Sequence, residues 1–151
     1  MLDYLTRTGG SPLVYLLKAW ATICAGTIIM VFVGSQIVPA QEPTGGVTDA
    51  TSLVPVLLLF WPLLATGLIH LALIPAKIFV PTYWYAAGGT ALGFALILGL
   101  MGGPVVGIVY AWPFFVFAVT FLAWQLKSGM HAWIMTTLLR AMVKLPVVLF
   151  L

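Results

Sequence analysis

His70 and His131 are the only histidines in this sequence, and they are its best candidates for chemistry. Each lies at or beside a long apolar run. His70 precedes Lys77 by about two helical turns, and His131 opens the C-terminal segment, so a folded chain holds them at similar depth. Two imidazoles at one level could ligate a b-type haem axially. The plainer roles are a hydrogen bond from His70 to a neighbouring carbonyl, or a helix-joining contact.

Little else here can react. The three carboxylates, Asp3, Glu42 and Asp49, fall in terminal or loop segments, outside every apolar run. Proton-driven transporters and intramembrane carboxyl proteases need acids inside the bilayer, so both classes are disfavoured. A hydroxyl nucleophile would need a base, and His70 is the only one within a span. Cys24 is the single cysteine, so neither an internal disulfide nor a thiolate metal site can form from it. No phosphate-binding glycine loop and no His-Glu-x-x-His pattern occurs. We expect no enzyme and no resident cofactor.

The elements that would position these residues follow from the solvent the chain needs. Of 151 residues, 63% are hydrophobic and only 6% are charged, with mean hydropathy +1.18. A soluble domain carries roughly 25% charged residues, so water cannot be the solvent here. A net charge of +3 from six cations is too small for a nucleic-acid footprint. Crossing ~30 Å of hydrocarbon takes about 20 apolar residues in a helix. Four stretches satisfy this, at about residues 12–38, 53–74, 82–101 and 105–126. Ser11 and Pro12 give the first a good start. Pro75 is expected to close the second, and Gly102-Gly103-Pro104 separates the third from the fourth. A cleaved signal peptide competes for the first stretch, with Val38-Pro39-Ala40 as the cleavage site. The 18 residues before its apolar core are long for such a leader, so we read a retained span.

The expected fold is therefore all-α and polytopic. Four transmembrane helices form two hairpins over residues 1–129, and residues 130–151 form an amphipathic interfacial helix with an apolar tail. In that helix Thr136, Thr137, Arg140 and Lys144 share one side, expected to face headgroups, and Trp133 enters the acyl boundary. Pro146 should end it. All six cations then fall on one side of the bilayer, which places both termini in the cytoplasm of a bacterial inner membrane. Lys18 snorkels to that surface. Trp20, Tyr83, Trp84, Tyr85, Trp124 and Trp133 form an aromatic belt there.

Two patterns bear on packing. Trp61-Pro62 and Trp112-Pro113 occupy matching positions in the second and fourth spans, with Lys77 and Lys127 following. This suggests a duplicated hairpin, with a kink at each proline freeing the carbonyls of Leu58 and Val109. Gly89 and Gly93 form a GxxxG pair that Gly99, Gly103 and Gly107 continue. Small residues allow close helix approach, within the bundle or against another protein. The expected function is a non-catalytic membrane subunit, a scaffold, anchor or accessory component. Its partners are lipid and other membrane subunits or further copies of itself. The alternatives are an oligomeric transporter or channel for a small or apolar solute, and the bis-histidine haem electron carrier.

Overall fold

The computed structural model describes residues 3–37, 61–79 and 82–149. Among these the chain is all-helical, with no strand. A 3-10 turn at Asp3–Leu5 precedes α1 (Pro12–Ile37), α2 (Trp61–Phe79), α3 (Tyr83–Gly102), α4 (Pro104–Gln125) and α5 (Gly129–Leu149). Three helices are long and apolar enough to cross a membrane: Pro12–Gln36 of α1, α3 and α4. That is the mark of a membrane protein. In α2 the apolar stretch Pro62–Pro75 is shorter. The expected loop at residues 39–52, the start of the second span, and with them Glu42, Asp49 and Leu58, lie outside the described residues.

The predicted starts and turns have local causes. Tyr15 donates its backbone N–H to the Ser11 carbonyl at 3.1 Å, closing the first turn of α1 behind Pro12. Gly103 joins α3 to α4 at φ 94° and ψ 159°, a region open essentially to glycine alone. Pro104 then begins α4, where its missing N–H costs nothing.

Two proline stops fail. α2 runs through Pro75 to Phe79, and α5 runs through Pro146 to Leu149. A proline removes one backbone hydrogen bond and leaves the rest of the ladder, which packed helices tolerate.

The helices pack around α4. Residues 116–124 of α4 are buried on every side. α1, α5, α2 and α3 surround them in that order, each contacting the next, and α3 makes the most extensive contact with α4. Side-chain contacts fix the directions. Tyr15 meets Thr120 and Trp124, and Gly34 lies against Val105, so α1 is antiparallel to α4. Phe94 stacks on Phe114 at 4.7 Å and Gly99 lies against Gly107, so α3 is antiparallel as well. α2 runs parallel to α4, with His70 beside Phe121. The same offset in sequence separates Trp61 from Trp112, so the two Trp-Pro helices are in register.

α5 corrects the interfacial reading. It runs antiparallel along α4, with Trp133 near Phe121 and Arg140 near Phe117 and Phe114, in the middle of α4. The turn at Lys127 therefore marks one end of the bundle, shared with the start of α1. Leu149 lies about 30 Å along α5 from it. Arg140 and Lys144 are thus removed from the end that carries Arg7, Lys18, Lys77 and Lys127, so the six cations do not share one side. Among the described residues the chain starts at the Lys127 end, and α5 leads away from it.

The aromatic residues of the Lys127 end also turn inward. Trp124 is only 2% exposed. The Tyr83 hydroxyl donates to the Val119 carbonyl at 2.6 Å, and Trp84 stacks on Phe115. The Tyr15 hydroxyl donates to the Leu5 carbonyl at 2.8 Å, tying down the N-terminal turn. Lys127 lies over the Trp124 ring and donates to the Thr8 carbonyl. Of the expected belt, Tyr85 faces outward. Helices in lipid gain more from such aromatic and hydrogen-bonded contacts than from apolar burial, because hydrocarbon surrounds them in either case.

Candidate functional site

Among the apolar contacts of α2, α4 and α5 lie a few polar side chains, His70, Thr66, Thr137 and Arg140. At the Lys127 end lies a cavity of about 180 Å³ lined by His70, Leu73, Ile74 and Gln125. The His70 ring stands 5.2 Å from Phe121 and 5.9 Å from Trp133, which fixes it at the mouth. One turn further along α2 is Thr66, fully buried, whose hydroxyl donates to the Pro62 carbonyl at 2.7 Å. The Thr137 hydroxyl of α5 donates to Thr66 Oγ1 at 3.3 Å.

Arg140 follows on α5, 7% exposed. Its guanidinium carbon is 4.4 Å from the Phe117 ring centre and 5.1 Å from that of Phe114. Nε and Nη2 are buried and meet no hydrogen-bond partner among the described residues, and the same holds for Thr136 Oγ1. Lys144, half-buried, continues the file one turn on. Cation–π contact with two rings recovers about 2 kcal/mol when desolvated. Burying an unpaired charge costs several kcal/mol, so the rings offset only part of it. Among the described residues neither Arg140 nor Lys144 meets a carboxylate.

The sequence grouped Thr136, Thr137, Arg140 and Lys144 on one face and expected it to point outward. The structure turns it inward. Met130, Ile134, Leu138 and Leu145 form the exposed side of α5 instead. That arrangement suits hydrocarbon, where the polar face is the one that needs cover. Trp133 packs under Gly67 between His70 and Phe121. Lys18 is exposed on α1. Thr66 escaped notice, although its i, i+4 relation to His70 put it on the same face.

The two histidines are not brought together. His131 stacks on Trp124 at 6.4 Å, whereas His70 faces Trp133. Positions 131 and 133 point about 200° apart on a helix, so the imidazoles address opposite flanks of α5. Among the described residues no group of three metal-binding side chains occurs, and Cys24 stands alone.

The glycines divide into two sets. A Cβ on Gly107 would lie 2.5 Å from the Ala95 carbonyl oxygen and 3.0 Å from Gly99 Cα. This is where α3 and α4 cross closely. Gly89 and Gly93 meet nothing within 4 Å, and neither does Gly88. The GxxxG pair therefore plays no part in internal packing among the described residues. Pro113 is buried within α4, and Pro62 is buried at the described start of α2. No family model matches the chain, and no curated protein or solved structure is detectably similar to it.

Proposed function

We propose that this chain is a non-catalytic subunit of a larger membrane assembly, docked through the outer face of α3. The observation that carries this reading is the open glycine face at Gly88, Gly89 and Gly93. Glycine inside a helix costs roughly 0.5–1 kcal/mol relative to alanine. At Gly107 close contact with α3 accounts for it. At Gly89 and Gly93 no contact within the described chain does, and the flanking Tyr85, Leu92 and Leu96 are exposed. A helix of another membrane protein, approaching as closely as α3 approaches α4, accounts for both glycines. The Lys127 end, with Arg7, Lys18 and Lys77, is cytoplasmic in a bacterial inner membrane by the charge rule.

The test compares two glycine substitutions in mild detergent. Gly89→Leu with Gly93→Leu should release co-purifying proteins and leave thermal unfolding unchanged. Gly107→Leu should instead destabilise the chain itself. If the Gly89/Gly93 variant keeps its partners, the subunit does not dock through this face.

A further inference from the structure

The two unpartnered nitrogens of Arg140 belong to one edge of its guanidinium. The Nε hydrogen and one Nη2 hydrogen point the same way in the plane, the fork that receives both oxygens of a carboxylate. That edge is buried, and the buried Thr136 hydroxyl one turn before it has no partner among the described residues either. A halide offers the fork a single acceptor atom, whereas a carboxylate meets each donor with its own oxygen. Lipid phosphates lie near the bilayer surfaces, whereas Arg140 stands beside the middle of α4. Between the His70–Gln125 cavity and Arg140 lies the Thr66–Thr137 hydrogen bond.

We propose that Arg140 is the anchor of a binding site for a small monocarboxylate. The fork holds both carboxylate oxygens, and Phe114 and Phe117 hold the guanidinium plane. Lys144 adds a second positive charge one turn further on. This site is separate from the α3 face and does not depend on the subunit reading.

The sequence has only two arginines, Arg7 and Arg140, so arginine labelled with nitrogen-15 yields two Nε signals. Arg140→Lys assigns them by removing one. In a non-ionic, carboxylate-free detergent, formate and acetate should move the Arg140 Nε–H signal downfield and saturably. Binding should be at least about tenfold tighter than for chloride at equal ionic strength, because only the oxyanion gives each donor its own acceptor. Formate should also raise the thermal midpoint of the native chain and not that of Arg140→Lys. An equal response to chloride, or no response to either carboxylate, overturns the proposal. So does a shifted signal already present in purified protein that Glu42→Gln with Asp49→Asn abolishes, because the chain's own acid would then fill the fork.

Discussion

Trp112 on α4 donates its indole N–H to the Thr22 carbonyl on α1 at 2.9 Å, and it does so directly over Gly26. A Cβ at position 26 would fall inside the indole ring. The bond and the glycine are one device. The accepting carbonyl lies one turn before the residue whose missing side chain makes room for the donor.

Gly26→Ala should therefore expel Trp112 from this position, breaking the bond and separating α1 from α4. The expected loss is about 1–3 kcal/mol, the usual range for forcing bulk into a packed site. Thermal unfolding in detergent measures it, and a shift in tryptophan emission reports the displaced indole. Gly88→Ala, where nothing lies within 4 Å, is the matched control and should be neutral or slightly stabilising.

Gly103→Ala tests the one-residue turn between α3 and α4. At φ 94° a side chain strains the backbone whatever space surrounds it. We expect a loss of about 1–3 kcal/mol, with no change in helix content by circular dichroism before the transition. An unchanged midpoint would show that the turn relaxes into another conformation.

Arg140→Met removes a buried charge that lacks a counter-ion among the described residues, and it keeps most of the side-chain volume. Replacing such a group with an apolar one is often neutral or stabilising, by up to about 4 kcal/mol. The midpoint should rise or hold when no carboxylate is present. A drop of several kcal/mol would mean that Arg140 is already paired in the native chain.

Ending the chain after Gly129 strips α5 from α4. Phe117, Phe121 and Trp124, all nearly fully buried, would lose part of their cover. If α5 were a detachable interfacial helix, the rest of the bundle would be indifferent. The packed arrangement predicts instead a lowered midpoint and faster proteolysis, measurable on the truncated and full-length chains side by side.

The sequence makes α1, α3 and α4 legible because each has an unambiguous boundary. Ser11-Pro12 opens α1, Gly103-Pro104 divides α3 from α4, and the apolar run of α4 gives way at Gln125. What it could not show is which way a face turns. Thr136, Arg140 and Lys144 are visibly on one side of α5. The rule that polar faces point outward belongs to water, and in hydrocarbon that side is the one that must be hidden. The glycines teach the same lesson. Gly89 with Gly93 and Gly99 with Gly103 have identical spacing. Only the position of α4 decides that Gly99 meets a neighbour and Gly89 does not. The histidine pair failed for a geometric reason, since similar depth says nothing about azimuth.

The inward polar face of α5 has a consequence for how the protein is made. α5 carries Arg140 and Lys144 four residues apart, at a cost of about 2.5–3.5 kcal/mol each near the centre of a spanning helix. Presented singly to the insertion machinery, it would offer Arg140 and Lys144 to lipid tails. With α4 already in place, Phe114 and Phe117 are waiting to receive the guanidinium. α5 thus takes its shelter from α4, and a chain that fails to seat α4 should fail to hold α5 as well.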